Sequence, residues 1–238
     1  MIKEALQYIV GLSEANIKEV CGQKYSDKEL KRISYNPKAE TIRMCTLTSL
    51  VEYLQSGADS MQAKMFVHVV SPVKVRLISQ LDKERVRETL VEAVCDVPEF
   101  NYGHYIGHEE FLIALQAKFL PNNDRELLFK FAGTVENGTI AQYGDDGVTQ
   151  KATVKTGIVS KGDAIVPNPV KLRPYRTFIE VKQPESEFIF RMKENERGGV
   201  QCAVFEADGG AWRNEAMENI KEYLQHELEK YKQYIVIS

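Results

Sequence analysis

Between Met65 and Val97 the chain alternates apolar and polar residues, and a sheet is the structure that such alternation suits. Met65-Phe66-Val67-His68-Val69-Val70 is rich in β-branched and aromatic residues, and Val73, Val75 and Leu77 alternate with Lys74 and Arg76. Side chains two apart on a strand share a face, so this is the pattern of a half-buried strand. Leu81-Asp82-Lys83-Glu84 turns the chain, and a further β-rich run from Val86 to Val97 ends at Pro98. Strands joined by short turns predict an antiparallel meander.

Helical periodicity marks other stretches. Ile2, Ala5, Leu6 and Ile9 share one face of a first helix that stops at Gly11. After short strands expected at Ile17–Val20, Ile33–Tyr35 and residues 40–45, Leu47, Leu50, Val51 and Leu54 predict a helix capped near Thr46 or Thr48. Phe111, Leu112, Leu115 and Phe119 predict another over 107–119, broken by Pro121-Asn122-Asn123-Asp124 and followed by a second from Arg125 to Phe131, a helical hairpin. Asn137-Gly138 and Asp146-Gly147 are turn signals, and Thr149–Val159 alternates like a strand. Strands are expected at 176–182, 188–193 and 200–206, then a closing helix from Trp212 to Tyr231 with Ala216, Ile220, Tyr223, Leu224, Leu228 and Tyr231 inward.

Helices and antiparallel strands interleave without a βαβ rhythm, which predicts an α+β fold with largely antiparallel sheets, a helical hairpin and a C-terminal helix. Residues 1–60 are expected to form an N-terminal α/β segment and 61–238 the main domain, together one continuous globular unit. With 238 residues the chain can bury a sizeable core, and 43% hydrophobic against 27% charged residues is ordinary for a globular protein. A net charge of −3 lacks the basic excess of a dedicated nucleic-acid binder. Cys21, Cys45, Cys95 and Cys202 are scattered, without a Cys-x-x-Cys pair. The first residues read as an amphipathic helix and no apolar run has membrane-spanning length, so free thiols, a cytoplasmic location and no membrane partner are expected.

Candidate sites cluster in the last third of the chain. Glu180 and Lys182, two apart on the expected strand, would share a face, and a carboxylate with an ammonium can hold a metal and polarise a phosphate. Metal-dependent nucleases of the PD-(D/E)xK type use such a pair with an upstream Asp, here Asp163; the alternative is a solvent-facing cross-strand ion pair. Glu206 and Asp208 precede Gly209-Gly210, where two carboxylates at a helix start can bind metal or, the preferred reading, cap the helix. Trp212 is expected to pack beneath that turn. Lys171, Arg173 and Arg176 with Tyr175 form the favoured ligand-binding candidate, since Arg matches phosphate and Tyr can stack on a base. His104 and His108, near Glu109 and Glu110, have metal-compatible chemistry, but no helical register joins them. His68 reads as a core histidine. Dinucleotide, Walker and nucleophile-elbow motifs are absent, and no cofactor is expected.

Several segments resemble the YfdQ-like family of bacteriophage and prophage proteins, a domain of unknown function. They are Val67-His68-Val69-Val70-Ser71-Pro72, Val97-Pro98-Glu99-Phe100, Asp145-Asp146-Gly147-Val148-Thr149-Gln150, Val166-Pro167-Asn168-Pro169-Val170, Arg173-Pro174-Tyr175-Arg176-Thr177-Phe178 and Phe205-Glu206-Ala207-Asp208-Gly209-Gly210-Ala211-Trp212. The resemblance implies a phage or prophage origin and a role inside an infected bacterium, and supplies no activity or catalytic residue. The expectation is a non-enzymatic binding or assembly protein that forms homo-oligomers. Its partner would be nucleic acid, a nucleotide or a host protein. The alternatives are a recombination or replication accessory that binds single strands, and a metal-dependent phosphodiesterase or nuclease.

Overall fold

The computed structural model describes residues 2–11, 15–29, 38–59, 63–135, 151–155, 161–165 and 168–238. Two units divide the chain, Met1–Ala39 and Glu40–Ser238. The first holds helix α1 (Ile2–Gly11) and a hairpin of β1 (Ile17–Val20) and β2 (Gln23–Ser26). Cys21 and Gly22 both take positive φ at the hairpin turn, the backbone that suits the twist of tightly joined strands. Asn16 and Asp27 close its base: the Asn16 N–H and side-chain amide donate to the Asp27 carboxylate at 2.7 and 2.9 Å.

The second unit begins with β3 (Ile42–Met44), α2 (Leu47–Ser56) and the expected meander, β4 (Met65–Ser71), β5 (Lys74–Ser79) and β6 (Thr89–Val94). There follow β7 (Ile106–Gly107), the helical hairpin α3 (His108–Lys118) and α4 (Asn123–Thr134), and the strand pair β8 (Lys151–Lys155) and β9 (Lys161–Ile165). The chain continues through β10 (Val170–Leu172), β11 (Ser186–Glu194), β12 (Val200–Glu206), α5 (Trp212–Glu227) and β13 (Tyr234–Ile237). Interleaved helices and mainly antiparallel strands make this an α+β fold. The domain division differs from the expected one near residue 60. Strand β3 pairs with β6, and Leu47, Leu50, Val51 and Leu54 of α2 are core residues of the second unit.

One sheet has the order β13-β4-β5-β6-β3. Its centre is antiparallel, while β13 and β3 run parallel to their neighbours. Met65, Val67, Val69, Val75, Leu77, Val91 and Ala93 line the inner face, which α2, Ile220 and Leu224 of α5, and Leu228 just past its end cover. On the opposite face Glu92 accepts from Arg76 at 2.7 Å, with Lys74 at 3.5 Å. His68 is only half-buried and lies on that face, a correction to its reading as a core residue. The other sheet, β10-β11-β12-β7, is antiparallel. Phe188, Phe190, Met192, Cys202 and Val204 pack there against Phe111, Leu115, Phe119 and Leu128 of the helical hairpin. The strand expected at Ile33–Tyr35 and the turns at Asn137-Gly138 and Asp146-Gly147 lie outside the described residues.

Candidate functional site

The segment from Arg173 to Glu185 leaves one sheet and re-enters it, and it carries most of the candidate residues. The strand expected over 176–182 is not formed. Phe178 and Val181, three apart, both enter the core under the five-stranded sheet, while Ile179 between them is 77% exposed. The side-chain amide of Gln183 takes the place of a neighbouring strand. Its oxygen accepts from the Arg176 and Thr177 N–H groups at 3.0 and 3.2 Å, and its nitrogen donates to the Phe178 carbonyl at 2.9 Å. Gln183 is 4% exposed, so the loop is pinned from inside.

That geometry separates the residues expected to act together. Arg176 is 6% exposed and donates to Glu206 Oε1 at 2.9 Å and to Ser186 Oγ. Its guanidinium lies 4.1 Å from the Trp212 ring centre, with Arg213 4.9 Å from the same ring. The basic patch is therefore not one surface. Lys171 is exposed and Arg173 reaches the Pro121 carbonyl at 3.2 Å, whereas Tyr175 lines a cavity. Glu206, Ser186 and the Trp212 indole enclose the buried Arg176.

The Glu206 and Asp208 carboxylates are likewise engaged. Glu206 pairs with Arg176, and Asp208 Oδ2 accepts from Ser186 Oγ at 2.6 Å while Oδ1 accepts from the Gly210 N–H at 3.0 Å. Gly209 and Gly210 take φ of 62° and 83°, which lets the chain turn sharply into α5. Glu180 and Lys182 do not share a strand face. Glu180 Oε1 accepts from the Thr48 N–H at 3.1 Å in the first turn of α2, and the Lys182 ammonium lies 3.7 Å from Glu215. His108 Nε2 donates to the Ala132 carbonyl at 2.7 Å, tying α3 to the end of α4, and His104 bonds the carbonyl of Tyr102 at 3.1 Å. Among the described residues no three His, Cys, Asp or Glu side chains are grouped to hold a metal ion, and no helix is long and apolar enough to cross a membrane.

What the loop does build is a cavity of about 550 Å³. Tyr175, Thr177, Ile179 and Glu180 supply one wall, Cys45 and Thr46 another, Cys95 to Pro98 a third, and Ala117 of α3 the last. Glu180 Oε2 is buried and has no hydrogen-bond partner. Burial pushes the Cys95 thiol up to about 11, and the Glu180 and Asp96 charges add to the rise. Cys95 is therefore a wall residue whose thiol stays largely protonated near neutral pH. Cys45, Cys95 and Asp96 escaped sequence analysis because the walls come from stretches far apart in the chain, and no local spacing signals their meeting.

No family model, no curated protein and no solved structure matches this chain. The likeness to the YfdQ-like family thus rests on the quoted segments alone.

Proposed function

We propose that this chain is a non-enzymatic binding protein that assembles with copies of itself, a phage or prophage accessory acting in the cytoplasm of the infected cell. The observation that carries the reading is the cavity beneath the Arg173–Glu185 loop. At about 550 Å³ it falls within the range of ligand sites, roughly 300–1,000 Å³. Its walls are largely apolar, and a few polar groups converge on it, as orientation of a ligand requires. The engagement of Glu206 with Arg176, and of Asp208 with Ser186 and Gly210, supports a structural use for the carboxylates that metal chemistry would recruit.

Assembly is supported by the first unit, where Ile2, Leu6, Tyr8, Ile17 and Val20 are all more than half exposed. Several large apolar side chains exposed on so small a unit favour association that covers them. The phage setting rests on the YfdQ-like segments. Native mass spectrometry of the full chain, purified from its expression host, tests the reading. A closed oligomer carrying extra mass that is lost on mild activation is the expected result. A bare monomer would overturn the assembly reading and leave binding to be judged by ligand titration.

A further inference from the structure

Given the reading of this chain as one that assembles with copies of itself, the edges of its two larger sheets offer a surface for it. An open strand edge is a row of unpaired N–H and C=O groups, and proteins close such edges with short strands, charges, proline, bulges or covering groups. β7 is two residues long, and β3 has three with Arg43 at its middle. On β10 the Lys171 N–H donates to Asp124 at 2.7 Å and the Lys171 carbonyl accepts from Asn122 at 2.8 Å. β13, Tyr234-Ile235-Val236-Ile237, has no charge, no proline and no bulge. Its outward groups follow from the ladder. The Met65 N–H donates to the Gln233 carbonyl at 2.8 Å, and β13 runs parallel to β4 with Tyr234 beside Met65 and Val236 beside Val67. Alternate residues turn their N–H and C=O to the same side, so Gln233, Ile235 and Ile237 face β4, and Tyr234, Val236 and Ser238 face out. The Tyr234 N–H is taken by the Tyr231 carbonyl at 3.0 Å, but the Tyr234 carbonyl and both groups of Val236 have no partner among the described residues. Tyr234 and Val236 turn their side chains to the core, whereas Ile235 and Ile237, 36% and 37% exposed, stand on the opposite face.

We infer that β13 pairs with β13 of a second copy, antiparallel about a two-fold axis through Val236, and joins two five-stranded sheets into one. The edge is complementary to itself in this register. Each Val236 N–H donates to the carbonyl of the partner's Val236, and each Ser238 N–H to the carbonyl of the partner's Tyr234, so every free group of the outer edge of β13 is used and the occupied Tyr234 N–H is not needed. Ile235 then lies opposite the partner's Ile237, which covers both exposed isoleucines of each copy beside Phe66 and His68 of β4. No charged residue lies between Tyr234 and Ser238, so no like charges meet across the seam. A foreign strand could supply the backbone bonds, but a second copy supplies in addition the two isoleucines that match those exposed here. The contact is isologous, as a closed dimer requires.

Sedimentation velocity of the full chain over a concentration series tests the seam. One short strand per copy is small beside a standard interface of roughly 1,600 Å², so a dimer that grows with concentration is expected. Ile235→Lys combined with Ile237→Lys sets like charges opposite one another at exposed positions and should weaken the dimer about tenfold or more. Ile235→Lys combined with Ile237→Glu changes the same two positions but sets opposite charges face to face, and should retain the dimer. Val236→Pro removes an N–H that the ladder to β4 does not use, a change that an edge strand tolerates, and should weaken the dimer by a similar factor. Equal weakening by both double variants would overturn the antiparallel register. Growth into oligomers without limit, the mark of β13 adding to β3 of the next copy, would overturn the two-fold pairing. A dimer untouched by all three variants would overturn the seam and leave assembly to another surface. A monomer at every concentration would remove the seam and the assembly reading together.

Discussion

A guanidinium withdrawn from water persists only where its charge and its N–H groups are answered. Arg176 meets the first condition through Glu206 and the face of Trp212 and the second in part, through Glu206 and Ser186; its Nε is buried without a hydrogen-bond partner. Burial holds it below the usual guanidinium range, against the pull of Tyr102, Glu206 and Asp208. Arg176→Met removes the hydrogen bonds to Glu206 and Ser186, while Glu206 keeps contact with water, and is expected to cost on the order of 1–3 kcal/mol in urea denaturation at neutral pH. Asp208→Asn should act on the acid limb instead. Burial alone would raise the Asp208 carboxyl, but the Ser186 hydroxyl, the Gly210 N–H and Arg176 outweigh it and hold the group below its ordinary 3.8. A folded pKa below the unfolded one gives stability that is complete above the unfolded value and lost as pH falls through the folded one. The Asn variant lacks that contribution, so its unfolding free energy should change less steeply with pH below about 3.8 than the parent's. An unaltered slope would show that Asp208 does not drive it.

Among the elements, α2 is closed by two acceptors from different parts of the chain. Thr46 Oγ1 takes the Ser49 N–H and Glu180 Oε1 takes that of Thr48. Loss of a side-chain cap costs about 1 kcal/mol, so Thr46→Ala should lower stability by that order. Glu180→Ala should add to it nearly in full, because the two acceptors serve different N–H groups; thermal melts of both single variants and the double variant check this. The meander, the helical hairpin and α5 were readable because each carries several apolar residues at one period. The Arg173–Glu185 loop was not. Phe178, Glu180 and Lys182 look like one face of a strand, and only the buried amide of Gln183, which supplies the bonds of an absent neighbour, shows otherwise. Strand β13 escaped for a different reason: four residues hold too little alternation, and its partner β4 lies far back in the chain. The candidate patch failed because the sequence cannot say which cation is enclosed by carboxylates from elsewhere.

At the scale of the whole molecule, the second unit has two cores whose contributions are shuffled along the chain. The core of the five-stranded sheet takes α2 and the meander first, then Phe178 and Val181, and last Ile220, Leu224 and Tyr234. The other core is assembled from residues 111 to 204, which lie between those groups. The Tyr234 hydroxyl donates to the Leu54 carbonyl at 3.3 Å across 180 positions of sequence. Neither core can therefore be completed by an early stretch of chain. Contacts this distant are slow to form, since the entropy of closing the intervening loop is lost before they repay it. During synthesis the meander would wait with only α2 on its inner face, the rest of that face uncovered, until α5 and β13 arrive. The interval between the making of β4 and the making of β13 is thus a period of exposure to aggregation, written into the order of the strands.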